Sequence, residues 1–99
     1  MTDRHGDPRF YALLEELAAL HGAKSHDYAT GTEPLANFQK STAFGVEPWR
    51  GCLVRMSDKF SRIQQLSAGK APKHESLRDS LIDLAAYALI CVLLREDAE

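Results

Sequence analysis

From Leu81 to Leu94 the chain reads Leu-Ile-Asp-Leu-Ala-Ala-Tyr-Ala-Leu-Ile-Cys-Val-Leu-Leu, an apolar run broken only by the carboxylate of Asp83. The run holds no glycine or proline, and its length suits a helix better than a strand. A helix that is apolar on nearly every side has no natural solvent face. It must lie at the centre of the fold or against another subunit. It is too short to span a bilayer and carries a charge inside it, so no membrane partner is expected.

The run sits in a longer helix, expected to start after Ala71-Pro72 and to reach about Arg95, with Leu77, Leu81, Leu84, Ala88 and Cys91 on one stripe. Ile82, Leu89 and Leu93 cover its other faces. Before it, a second long helix is expected from near Pro48 to near Gly69. Trp49, Leu53, Met56, Phe60 and Ile63 fall there at 4-3-4-3 spacing and make one apolar stripe. On an adjoining stripe stand Arg55, Asp58, Arg62 and Gln65, with Lys59 beside them. A first helix is expected from about Pro8 to His21. Asp7 is its N-cap, Pro8 suits its first position, and Gly22 is its stop. Residues 23–47 read as a polar, loop-like stretch followed by a short helix from near Pro34 to Gly45. A connection that long is often functional.

No segment carries a strand pattern, and long helices with short connections suggest a bundle. The expected fold class is therefore all-α: a single domain over residues 1–99, a small bundle of three main helices plus a short one, completed by oligomerisation. A chain of 99 residues supports one core, but a thin one. Homodimer or homotetramer formation would add to it.

Composition removes some function classes. The net charge is −2 and the basic residues are dispersed, apart from Arg55, Lys59 and Arg62. That is not the footprint of a duplex nucleic-acid binder. Cys52 and Cys91 lie among apolar residues within expected helices. They read as small buried hydrophobes in a reducing compartment. The opening Met-Thr-Asp-Arg-His-Gly holds no apolar signal segment. The expected location is the cytoplasm, or the host cytoplasm if the chain is phage-encoded. There is no P-loop, no dinucleotide-binding glycine pattern, no zinc spacing and no nucleophile elbow.

The candidate chemistry centres on Glu75, Asp79 and Asp83. Their i, i+4, i+8 spacing would align them along one helix face. Glu75 and Asp79 also suit the N-terminal half of a helix dipole. A bare carboxylate at Asp83 is costly unless it is paired, hydrogen-bonded or metal-bound. One reading pairs it with Arg55 or Arg62 on the second helix. The other makes the three carboxylates a magnesium site, since hard divalent ions take oxygen ligands and Mg²⁺ is commonly shared with substrate phosphates. Asp58 is the natural fourth ligand. It stands about eleven residues before the expected turn and Asp83 about eleven after it, so in an antiparallel pair they lie at similar height at a rise of ~1.5 Å per residue. Arg55, Lys59 and Arg62 could then meet phosphates. Upstream, Lys24 and Asp27 in Lys-Ser-His-Asp-Tyr could clamp a phosphate and a metal or sugar, or form a plain exposed loop. Tyr28, Asn37, Phe38 and Trp49 could contact a base or simply pack. His26-Asp27 matches HD-type phosphohydrolases in only two residues and falls in an expected loop, so that relation is set aside.

Two stretches carry a family resemblance: Arg55-Met-Ser-Asp58-Lys59-Phe-Ser-Arg62-Ile and Glu75-Ser-Leu-Arg-Asp79-Ser-Leu-Ile-Asp83-Leu-Ala-Ala-Tyr87-Ala, with Lys24-Ser-His-Asp27-Tyr28 upstream. Over roughly residues 22–95 the chain resembles small phage and bacterial proteins of the nucleotide-modification-associated type. These are similar to the MazG-like all-α nucleoside triphosphate pyrophosphohydrolases. The resemblance implies cleavage between the α and β phosphates, giving a nucleoside monophosphate and pyrophosphate. It also implies Mg²⁺ (or Mn²⁺) held by carboxylates on two adjacent helices, and a dimer or tetramer. Asp79 and Asp83 match the acidic pair of the family's last motif helix, and Asp58 part of the motif before it. The family usually carries two or more glutamates on that earlier helix. Here Arg55, Lys59 and Arg62 surround Asp58, so Glu75, Asp27 or a partner subunit would have to complete the site.

The expected assignment is thus Asp58, Glu75, Asp79 and Asp83 on metal, with Glu75, Asp79 and Asp83 catalytic. Lys24, Asp27, Tyr28, Asn37, Arg55, Lys59 and Arg62 would bind a (deoxy)nucleoside triphosphate. The alternatives are a non-enzymatic oligomeric helical module that binds a protein partner, and an enzyme of altered phosphoryl chemistry.

Overall fold

The computed structural model describes residues 5–28, 35–71 and 75–99, with backbone alone at 26–28. The described residues form helices and no strand: α1 (Pro8–Tyr28), a 3-10 segment (Ala36–Phe44), α2 (Pro48–Ser67) and α3 (Leu77–Asp97).

Local signals explain most of the boundaries. The Asp7 carboxylate accepts the Arg9 N–H at 2.9 Å, and Pro8, lacking an N–H, opens α1 at no cost in hydrogen bonds. Pro48 likewise opens α2. Gly69, at φ 96°, ends it in the left-handed conformation that glycine adopts freely. Gly45, at φ 75°, closes the 3-10 segment in the same way, its N–H bonding back to the carbonyls of Ser41 and Thr42. α3 begins with a capping box. The Ser76 hydroxyl accepts the Asp79 N–H at 3.1 Å, and the Asp79 carboxylate accepts the Ser76 N–H at 3.3 Å.

Two boundaries differ from expectation. α1 does not stop at Gly22 but continues through the Lys24–Tyr28 motif, which is helix rather than loop. An interior glycine costs about 1 kcal/mol relative to alanine. No proline follows it before Tyr28, and Lys24 gains an ion pair on α3. α3 starts at Leu77, not directly after Pro72, so Glu75 precedes the helix and is not one turn below Asp79 on its face.

α2 and α3 pack antiparallel. Lys59 meets Asp83 and Glu75 toward one end, while Cys52 meets Tyr87 and Trp49 meets Cys91 toward the other. The core lies where this pair meets the 3-10 segment: Cys52, Ile90 and Leu94 are buried, with Leu35, Phe38, Trp49, Tyr87 and Cys91 packed around them. The 3-10 segment comes very close to α2. A Cβ on Gly51 would stand 3.1 Å from the Ser41 side chain. α1 lies along α3, burying Leu17 and tied by a two-bond Arg78–Glu16 pair at 2.8 and 3.0 Å.

Of the apolar stripe of α2, Trp49 packs against this core, while other members face outward. Leu53 is 44% exposed and Phe60 54%, and on α3 Leu81 and Val92 are 49% and 54% exposed. Among the described residues, no helix is long and apolar enough to cross a membrane.

Candidate functional site

On the side of α3 that faces α1 and the 3-10 segment there is a cleft. α1 contributes His21 and Lys24, the 3-10 segment Asn37 and Phe38, α2 Arg55, and α3 Asp83 and Tyr87. It encloses about 70 Å³, a space for waters rather than for a large ligand. Tyr87 follows Asp83 by four positions, which places both on one helix face. The Phe38 and Tyr87 rings meet edge to face at 6.1 Å, and the Arg55 guanidinium lies 4.6 Å from the Phe38 ring centre.

An alternating chain of charges runs along the floor of the cleft and between the helices. Lys24 Nζ donates to Asp83 Oδ1 at 3.1 Å and Lys59 Nζ to Asp83 Oδ2 at 2.9 Å. Lys59 Nζ also donates to Glu75 Oε1 at 2.8 Å, and Arg62 lies 3.1 Å from that same oxygen. The remaining Glu75 oxygen accepts the hydroxyl of Ser80, a fully buried residue, at 2.7 Å. The side chains of Asp83, Glu75 and Lys59 are between 16% and 19% exposed, so solvent screens them only partly.

Titration follows this geometry. Burial works against the charged form of Asp83, but the ammonium groups of Lys59 and Lys24 outweigh it and hold the carboxyl below the usual aspartate value. Lys59 and Ser80 hold Glu75 below the usual glutamate value, against a smaller opposing effect of burial. Burial would lower Lys59, but its two carboxylate partners raise it above an ordinary lysine. All three groups are charged at neutral pH.

The expected residues divide accordingly. Lys24, Asn37, Arg55 and Asp83 share the cleft. Lys59, Glu75 and Arg62 continue the charge chain from Asp83. Asp58 and Asp79 do not join them and are exposed. Asp58 stands at the right height, but its neighbour Lys59 is the residue turned toward α3. Asp79 is engaged by its own helix start. Asp83 pairs with Lys59 and Lys24 rather than with Arg55 or Arg62. The side chains of Asp27 and Tyr28 lie outside the described residues. Sequence reasoning passed over His21, Ser80 and Tyr87. Tyr87 could have been found from its spacing to Asp83, whereas a serine in the first turn of a helix gives no sign of burial.

The four carboxylates expected to hold magnesium, Asp58, Glu75, Asp79 and Asp83, are not brought together as one group. Only Glu75 and Asp83 come together, and the Lys59 ammonium bridges them at the hydrogen-bonding distances given above. Among the described residues, no three His, Cys, Asp or Glu side chains are grouped to hold a metal ion. With Lys24, Lys59 and Arg62 against two carboxylates, the charge chain carries a net positive charge, which suits an anion better than a resident divalent cation.

Comparison of the chain with protein-family models, with curated proteins and with solved structures finds no match.

Proposed function

We propose that the cleft binds a nucleoside triphosphate and that the chain hydrolyses it to the monophosphate and pyrophosphate, acting as a MazG-like homo-oligomer. One observation carries this reading. Lys24, Asn37, Arg55 and Asp83, drawn from four separate elements, line one cleft beside two aromatic rings. Phe38 and Tyr87 supply a surface for a base and Asn37 a donor and an acceptor for its edge. Lys24 and Arg55 supply positive charge for phosphates. Asp83, ionised and reachable from the cleft, is placed to accept a hydrogen bond from an attacking water.

Ligand pockets usually run to about 300–1,000 Å³. Entry of a nucleotide therefore requires Lys24 to release Asp83, and a phosphate that takes over the lysine offsets the loss of that pair. Mg²⁺ or Mn²⁺ would arrive with the nucleotide as its counter-ion, because the resident carboxylates are already bridged by Lys59.

The test is pyrophosphate and monophosphate release from a panel of natural nucleoside triphosphates, with and without Mg²⁺ or Mn²⁺, with Asp83→Asn in parallel. Release that Asp83→Asn loses while still binding nucleotide supports the proposal. No turnover and no nucleotide binding by the folded protein would sink it. A second reading, a non-enzymatic helical module, draws on the same charge chain: Asp83 and Glu75 are each neutralised within the protein. It expects no nucleotide to displace Lys24 from Asp83.

A further inference from the structure

We infer that Gly51 is a positioning residue for the base end of the cleft. Its missing side chain lets the 3-10 segment dock on α2 closely enough to set where Asn37 and Phe38 stand. A Cβ at position 51 would lie 3.1 Å from both Cβ and Oγ of Ser41. That is inside ordinary van der Waals contact, so the neighbour would have to give by a few tenths of an ångström. Alanine is the better helix former, so propensity within α2 does not account for a glycine there. The close approach of the 3-10 segment does.

The contact belongs to a pair. Side chains three apart eclipse one another in a 3-10 helix, which puts Phe38 and Ser41 on one side of the segment. Positions four apart share a face of an α-helix, which puts Gly51 and Arg55 together on α2. Two rungs join these faces. Ser41 stands against Gly51, and Phe38 against Arg55, whose guanidinium lies 4.6 Å from the ring centre. The segment therefore runs antiparallel to this stretch of α2. Ser41 has little freedom to step aside. Its hydroxyl donates to the Val46 carbonyl at 2.9 Å, and its own carbonyl accepts the Val46 N–H at 3.2 Å. A side chain at position 51 would push the segment as a unit and carry the displacement one turn along, to Phe38 and its neighbour Asn37. Phe38 meets Tyr87 edge to face at 6.1 Å, and Asn37 lines the cleft. Lys24, Arg55 and Asp83 stand on α1, α2 and α3, outside the displaced segment. The residue at position 51 thus acts on the contacts to a base and leaves those to phosphates in place.

This inference rests on the nucleotide reading of the cleft. The experiment measures binding, with Mg²⁺ present, of the α,β-methylene analogues of the natural deoxynucleoside triphosphates and of inorganic tripolyphosphate as a base-free control. The native chain, Gly51→Ala and the double variant Gly51→Ala/Ser41→Gly are compared, with helicity followed by circular dichroism. Gly51→Ala is expected to weaken nucleotide binding about 3–10-fold, short of the ~100-fold that a misplacement of about 1 Å can cost, and to leave tripolyphosphate unchanged. Removing the Ser41 side chain makes room for the new methyl, so the double variant should recover most of the loss. In NMR spectra of the ligand-free proteins, the Tyr87 ring signals, which feel the Phe38 ring, should shift in Gly51→Ala and return in the double variant. Equal nucleotide affinity in the native chain and Gly51→Ala overturns the inference alone. So does a parallel loss of nucleotide and tripolyphosphate, or a loss that the double variant does not recover. A native chain that binds no nucleotide overturns the nucleotide reading and this inference together. If Gly51→Ala loses helicity, Ser41→Thr, which adds a methyl on the other side of the same gap and keeps the hydroxyl, is put to the same comparison against tripolyphosphate.

Discussion

Lys59 on α2 and Asp83 on α3 are joined at 2.9 Å across the helix pair, and the same ammonium holds Glu75 at 2.8 Å. One lysine therefore keeps two partly buried carboxylates close together. Replacing it with methionine keeps the bulk and removes the charge. Among the described residues, Asp83 then retains Lys24, and Glu75 retains Arg62 and Ser80. Lys59→Met is expected to cost about 1–3 kcal/mol, read as a lowered denaturation midpoint in urea. A double-mutant cycle of Lys59→Ala with Asp83→Ala should give a coupling of about 0.5–3 kcal/mol. A coupling of zero would mean that the pair contributes nothing across the interface.

The charge chain also sets a pH window. Asp83 and Glu75 have folded values depressed below their ordinary 3.8 and 4.5. Their contribution is complete above those values and is lost as pH falls through the lower folded ones. Lys59 is raised above 10.5, so its contribution is complete below 10.5 and is lost as pH rises beyond it. Stability should hold on a plateau between these limits and fall on the acid side below about pH 4. In Lys59→Met the acid-side fall should be shallower, because the main cause of both depressions is gone. Urea midpoints measured from pH 3 to 7 check this, and identical acid slopes in the two proteins would refute it.

Gly22 tests the course of α1. It lies within the helix, and a Cβ there would meet nothing within 4 Å. Gly22→Ala is expected to stabilise the protein by about 0.5–1 kcal/mol. If the chain instead turned at this position in the left-handed conformation, the same substitution would destabilise it. Thermal melts distinguish the two signs.

The cysteines should differ in reactivity. Burial, with Cys91 close by, pushes the Cys52 thiol up to about 11, and its Sγ donates to the Tyr87 carbonyl at 3.3 Å. Cys91 is only part-buried. At pH 8 an alkylating reagent should modify Cys91 first and reach Cys52 only at the rate of unfolding. Mass spectrometry of the labelled peptides reads the order, and equal labelling rates would contradict it.

The sequence disclosed those parts of the fold that depend on short-range chemistry. Pro8 and Pro48 marked helix starts because proline suits a first helical turn. Gly45 and Gly69 marked helix ends because the chain there turns left-handed. The helical nature of residues 81–94 followed from an apolar run interrupted only at Asp83 and free of glycine and proline. What pattern could not give was direction. Asp58 and Lys59 are adjacent and at the same height, so the rise per residue selects both. Only the rotation of α2 about its axis decides that the lysine faces Asp83. Asp79 looked like half of an acidic pair because spacing shows which residues share a helix face but not that one of them is engaged by a backbone N–H. Ser80 was invisible for the opposite reason: its hydroxyl found a carboxylate partner that lies before the helix begins. The stripe of Leu53 and Phe60 was rightly seen as apolar, but sequence alone could not say whether it packs inside one chain or outside it.

The separation along the chain of the two contacts that fasten α1 also bears on how the protein is made. Glu16 and Arg78 are 62 positions apart, and Lys24 and Asp83 are 59 apart. Lys59 and Asp83, by contrast, are only 24 apart. Bringing distant segments together costs more chain entropy before any contact rewards it. The α2–α3 hairpin can therefore assemble while α1 is still unattached, although α1 leaves the ribosome first. Of the three long helices the first synthesised is the last to be fastened, and in native-state hydrogen exchange its amides should open while those of the hairpin stay closed.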